Sequence, residues 1–225
     1  MRLKKDEQIE SPFFGNYYCL IPNTNIAFLV ISKNACTFLK KIAIYNKTGD
    51  WLDESQFKVH STIGYNSNKS NYLFTNEELK AFEKESREKI YRFAIWRDPI
   101  HRIESSYKLF CMERELRYYF IYLDINKDIP FERFIEFIRF ELGKENPLFI
   151  DEHIRKQVDY LKENEVDEIV HINDLFPFLR SKGISFIEEK SNKTKANFQL
   201  ENEAFINDIK ALYKDDYKIE ITWKG

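Results

Sequence analysis

Two short stretches of the chain carry residue types that hold anions, and each sits where an apolar run gives way to a helical pattern. The first is Ser32-Lys33-Asn34-Ala35-Cys36-Thr37, directly after Ile26-Ala27-Phe28-Leu29-Val30-Ile31. A strand that turns straight into a helix leaves unpaired backbone N–H groups at the helix start, an end of partial positive charge suited to an anion. Lys33 adds a full charge and Thr37 a hydroxyl. The glycine-rich G-x-x-x-x-G-K-[ST] signature is absent, which disfavours an ordinary ATP or GTP site. On this stretch alone, an anion loop and a plain crossover with a solvated lysine stand equally open. The second stretch is Arg97-Asp98-Pro99, which ends the run Tyr91 to Trp96 and leads into a helix near Ile100, with Pro99 where a first turn tolerates it. His60 and His153 are the side chains suited to moving a proton near neutral pH. Each has a bland alternative, as a loop histidine and a packed histidine respectively.

The elements that must position these residues follow from pattern. The run 26–31 is apolar and rich in β-branched residues, as in a strand buried on both faces of a parallel sheet. Tyr17 to Leu20 reads as a short strand before it, Tyr91 to Trp96 as a second strand after it, and Glu168 to Ile172 as a third. Helices are expected from Cys36 to about Lys47, from Thr75 (as N-cap) towards Glu88, from Ile100, from Pro130 to Leu142, through Leu179, and from Glu201 to Tyr213. The stretch from Trp51 to Asn76 reads as a long irregular loop, Asp151 to Gln157 as the start of a segment that would put His153 and Gln157 on one helical face, and Ile184 to Phe186 as a small edge strand. Strands separated by helices predict an α/β fold, a three-layer arrangement with a mainly parallel central sheet flanked by helices.

With 225 residues and 43% hydrophobic content, the chain is large enough for one domain spanning 1–225, with residues 1–11 frayed. A formal charge of −2 gives no basic footprint, so bulk nucleic-acid binding is not indicated, although a local basic pocket is compatible with it. Cys19, Cys36 and Cys111 are odd in number and lack metal-ligand spacing, which points to a reduced compartment and no metal. The N-terminal residues carry no apolar run of signal or anchor length, so a soluble cytoplasmic protein without a transmembrane segment is expected.

The segment Arg97-Asp98-Pro99-Ile100-His101-Arg102-Ile103-Glu104-Ser105-Ser106-Tyr107 resembles the R-D-P-x-x-R-x-x-S-x-Y element of carbohydrate sulfotransferases, especially the Golgi glycan and heparan-type enzymes that use 3′-phosphoadenosine 5′-phosphosulfate (PAPS). Lys33-Asn34-Ala35-Cys36-Thr37 looks like that family's P-K-x-A-C-T phosphosulfate loop, and Asp151-x-His153-x-x-x-Gln157 is similar to its D-x-H-x-x-x-Q phrase. Ser32 stands where proline is usual, and Phe38 and Leu39 replace a pair that is often polar and aromatic. The family's Golgi members carry a membrane anchor, so the resemblance is to a bacterial-type member. It implies a P-loop-NTPase-like fold and sulfuryl transfer from PAPS to a hydroxyl of a carbohydrate or glycoconjugate.

On that resemblance, Lys33 neutralises charge on the leaving oxygen, helped by Asn34, Ala35, Cys36 and Thr37. Arg97 and Ser105 take the donor's 3′-phosphate, while Lys193 and Thr194 either complete the cradle or belong to a plain polar loop. Arg102 is either a ligand or a brace. His60 is the first choice for the base that deprotonates the acceptor, with His153 the runner-up. A nucleotide-dependent kinase and a non-catalytic nucleotide- or glycan-binding relative are the alternatives; oligomeric state is not legible.

Overall fold

The computed structural model describes residues 16–52, 56–64, 70, 72–112, 129–188 and 198–225. Five strands, β1 (Tyr18–Ile21), β2 (Ile26–Leu29), β3 (Leu73–Phe74), β4 (Tyr91–Trp96) and β5 (Glu168–His171), form one sheet in the order β3-β1-β2-β4-β5. β2, β4 and β5 run parallel, with Phe28 opposite Phe93 and Phe93 opposite Glu168. β1 runs antiparallel to both β2 and β3. The sheet is therefore mixed, which corrects the expectation of a mainly parallel one. The reason is the link between β1 and β2: a few residues can close a hairpin, whereas a parallel pair needs a crossover of a dozen or more. Asn23 at φ 62° turns that link, and the Thr24 hydroxyl donates back to the Ile21 carbonyl at 2.7 Å.

Both faces of the sheet are covered. On one, Cys19, Ile21, Ile26, Phe28, Phe93 and Ile95 meet Phe38 and Ile42 of α1 (Cys36–Thr48), Val59 and Ile63 of α2 (Gln56–Ile63), and Phe178 and Leu179 of α7 (Leu175–Ser181). On the other, Tyr18, Ala27, Leu29 and Ala94 meet Leu79 of α3 (Asn76–Ser86) and Tyr160 of α6 (Gln157–Glu163). Alternate residues of one strand thus serve opposite layers, which is why β2 reads as an unbroken apolar run. A separate aromatic-rich core joins α4 (Pro99–Tyr107), α5 (Phe131–Leu142) and α8 (Glu203–Leu212) through Ile103, Phe134, Ile138 and Ile209.

Three local expectations change. The stretch after Trp51 contains α2, because Val59 and Ile63, one turn apart, are fully buried against α1 and hold a helix that its polar neighbours conceal. Ile184 to Phe186 is not a strand; the outer edge of β5 meets the C-terminal segment instead, with Thr222 N–H donating to the Ile169 carbonyl at 3.1 Å and Ile169 N–H to the Thr222 hydroxyl at 2.8 Å. His153 lies in a turn and Gln157 is the first residue of α6, so the two do not share a helical face. Residues 1–11, Lys193 and Thr194 lie outside the described residues.

Candidate active site

β2 and β4 are neighbours and parallel, so the turns that leave their C-terminal ends lie side by side. After β2, Lys33 and Ala35 adopt left-handed backbone at φ 68° and 58°. Neither is glycine, and each such residue costs about 1–2 kcal/mol. The Asn34 N–H closes the turn on the Ile31 carbonyl at 3.2 Å, and the first-turn amides of α1 at Cys36, Thr37 and Phe38 have no intrahelical acceptors. Ala35, at the N-cap, offers no side chain to satisfy them.

Side chains from the next strand and helices hold this turn. Arg97, just past β4, donates to the Lys33 carbonyl at 2.8 Å. Asn34, buried, donates through Nδ2 to the Ile95 carbonyl and to Gln157 Oε1, both at 2.6 Å. Arg102, 1% exposed, donates to the carbonyls of Ser32 (3.1 Å), Arg155 (2.9 Å) and Glu152 (3.0 Å). Those three bonds make Arg102 a brace tying the anion turn to the 152–155 turn. Asp98 caps α4, its carboxylate accepting from Ile100 and His101 N–H, and Ser105 sits half-buried two turns along. Burial, and next the Arg102 charge, bring the Arg97 guanidinium down to about 10, still protonated at neutral pH. It is a poorly solvated cation beside a second cation, a setting that favours a multiply charged anion.

The two histidines approach the same region from α2 and from the turn before α6, where both Lys33 and His153 influence His60. Burial first, then the charge of Lys40, then His153 and Lys33 push His60 down to about 2. Its Nδ1 lies 3.1 Å from Nζ of Lys40, which is 1% exposed. An ammonium only donates, so the imidazole lone pair is directed at Lys40 and the ring proton sits on Nε2. His153 has the opposite arrangement. Its Nδ1 lies 3.0 Å from Asp151 Oδ1, which also accepts from the His153 backbone N–H at 2.8 Å. A carboxylate only accepts, so Nδ1 carries the proton and Nε2 keeps the lone pair. Burial pushes the Asp151 carboxyl up, but its contacts with His153 and the Lys144 charge outweigh that and leave it below the usual carboxylate range. Phe110 packs edge-on to the His153 ring at 4.9 Å, and Ser106 holds the His153 carbonyl at 3.1 Å.

Lys33, Asn34, Ala35, Cys36, Thr37, Arg97, His60 and His153 thus gather at one end of the sheet, with Ser105 further along α4. Sequence reading did not assign roles to Lys40 or Gln157. For Gln157 the D-x-H-x-x-x-Q phrase is the available signal; Lys40 looks like any helix lysine until burial is known. Among the described residues no group of three or more His, Cys, Asp or Glu is placed to hold a metal ion, and no helix is long and apolar enough to cross a membrane. A family model described as "Sulfotransferase family" matches residues 16–167. Comparison with curated proteins and with solved structures returned no match.

Two expected outcomes follow from this geometry. Arg102→Lys cannot reproduce three directed bonds from one planar fork, so it should destabilise the fold by about 2–4 kcal/mol in urea unfolding; a change under about 0.5 kcal/mol would return Arg102 to the surface class. His60 is held below its unfolded value of about 6.5, so the unfolded chain binds the proton first. Its contribution is complete above that pH and is lost as pH falls towards 2, at up to about 1.4 kcal/mol per unit. Unfolding at pH 7 and pH 5 should therefore show a smaller acid loss for His60→Gln than for the parent, and equal losses would mean the imidazole titrates normally in the fold.

Proposed function

Because the chain belongs to the sulfotransferase family, a transferase family that moves sulfuryl groups, we propose that its donor is PAPS and its acceptor a hydroxyl of a carbohydrate or glycoconjugate. The observation that carries the donor reading is the 2.8 Å bond from Arg97 to the Lys33 carbonyl, which joins the two anion-type turns into one site. The site's chemistry fits a donor with two anionic ends. The amide-lined turn after β2, with Lys33 and the Thr37 hydroxyl, suits the phosphosulfate. Arg97 and the Ser105 hydroxyl suit the 3′-phosphate, since a guanidinium forks onto phosphate oxygens. The carbohydrate reading rests on the resemblance of residues 97–107 and 151–157 to the carbohydrate enzymes.

PAPS supplies the sulfuryl group, which passes to the acceptor oxygen as the bond from sulfur to the phosphate oxygen breaks. Lys33 and the first-turn amides offset the negative charge that grows on that phosphate oxygen. His153 takes the acceptor proton at Nε2, with Asp151 fixing the tautomer and the ring orientation. This reverses the order of the two histidines expected from sequence. A base whose conjugate acid has a pKa near 2 is poorly matched to neutral pH, and the His60 lone pair is already directed at Lys40. The polypeptide is read as a single sulfotransferase domain acting in the cytoplasm.

Calorimetry should give tighter binding of adenosine 3′,5′-bisphosphate than of AMP, by about tenfold or more, with Arg97→Ala erasing the difference; equal affinities in the parent would sink the donor assignment. In turnover assays with PAPS, Lys33→Ala should lose about 100-fold in kcat while keeping most bisphosphate affinity. His153→Ala should lose about 100- to 10,000-fold in kcat while keeping most bisphosphate affinity. Near-parental kcat in His153→Ala, with a loss of that size in His60→Ala, would move the base back to α2.

A further inference from the structure

The family-matched residues stop at 167, yet a carboxylate far beyond them reaches the donor site. Asp216 lies in the turn after α8 and is fully buried. Its Oδ2 accepts from the Gln157 backbone N–H at 3.0 Å and from Gln157 Nε2 at 3.3 Å, and its Oδ1 accepts from the Val158 N–H at 2.9 Å. Those are the first amides of α6, whose own N-cap, Lys156, makes no side-chain cap bond. Asp216 therefore caps α6 from 59 residues away, placing a negative charge at the positive end of the helix.

The cap also sets one side chain. With Nε2 held by Asp216 and by the Arg97 carbonyl at 2.8 Å, Gln157 turns Oε1 towards Asn34 Nδ2 (2.6 Å) and the Arg97 N–H (3.0 Å). Gln157 thereby grips both anion-type turns at once: Asn34 in the strained turn after β2, and the backbone of Arg97 on both its sides. The rest of the C-terminal turn is fastened to the same place. The Asp216 carbonyl accepts from Trp96 Nε1 at 3.0 Å, at the last residue of β4, and the Tyr213 hydroxyl donates to the Ile154 carbonyl at 2.7 Å. Burial, followed by the charge of Asp98 at the head of α4, raises the Tyr217 hydroxyl to about 12.

We propose that Asp216 is a positioning residue for the donor site, acting through Gln157 on Asn34 and Arg97. The proposal rests on the reading of that site as a PAPS site. An amide has two ends of opposite character, and an unanchored Gln157 can rotate them. Rotation would present N–H groups to Asn34 Nδ2 and the Arg97 N–H, which are donors themselves. The carboxylate, which only accepts, forbids that orientation, because Nε2 must face it. The two turns then keep the spacing that the donor's two anionic ends require.

The experiment is a double-mutant cycle on adenosine 3′,5′-bisphosphate affinity, using Asp216→Ala, Gln157→Ala and the double variant of the full chain, with melting temperatures recorded beside it. Each single variant should bind the bisphosphate about five- to tenfold more weakly, and the double variant no more weakly than the worse single one. Asp216→Asn, which keeps the volume and one acceptor oxygen, should recover part of the loss, and it carries the comparison if Asp216→Ala does not fold. A lower melting temperature with parental affinity would make Asp216 merely structural and overturn the proposal. Losses that multiply in the double variant, or a loss for Asp216→Ala with none for Gln157→Ala, would overturn it too. A parent that binds bisphosphate no better than AMP fails earlier, at the donor reading, and takes the inference with it.

Discussion

Lys33 and Ala35 hold left-handed backbone in the turn after β2, and the bonds that keep them there come from other parts of the chain. Arg102 reaches the Ser32 carbonyl, Arg97 the Lys33 carbonyl, and the Asn34 side chain is fixed by Ile95 and Gln157. Each of those bonds spans 61 residues of sequence or more. A glycine-rich loop adopts such a conformation because its backbone permits it. This turn has no glycine and is held by bonds from distant parts of the chain, so its shape is a property of the assembled fold. The strain is local, and the network that offsets it spans β4, α4 and α6.

The sheet explains how those partners come within reach. The parallel trio β2, β4 and β5 directs its C-terminal ends to one side, where open α/β sheets bind their ligands. Two strand-to-helix junctions, after β2 and after β4, therefore open onto the same space. β1 and β3 add antiparallel width on the far side of β2 without contributing a second junction of this kind. The mixed topology thus preserves the feature that matters chemically, the adjacency of β2 and β4.

Charge is distributed by role. Arg102 gives three bonds to backbone carbonyls, and Asp216 accepts from two backbone amides and the Gln157 side chain, so both are buried groups that organise structure. Arg97 gives one bond to the Lys33 carbonyl, while a guanidinium carries five N–H donors, so capacity remains for an anion. The histidines divide in the same manner. His60 is kept neutral by burial and by the cations around it, whereas His153 is oriented by an acid.

Several features were legible from the residues alone because they depend on neighbours along the chain. The apolar run of β2, the polar turn after it, Pro99 at the head of α4 and the Thr75 capping box are local patterns, and the structure has each of them. Both anion-type turns and both histidines were nameable for the same reason. The orientation of β1, the helix hidden around Val59 and Ile63, and the brace role of Arg102 depend on burial and on distant partners, which no spacing encodes. That His60 faces an ammonium and His153 a carboxylate depends on distant partners in the same way. Asp216 carried no local signal at all, since a carboxylate in a short C-terminal turn becomes a helix cap only when folding brings α6 to it. Sequence determined which groups were available; the tertiary structure, by removing water and fixing each group's partner, decided which of them are tied into the fold.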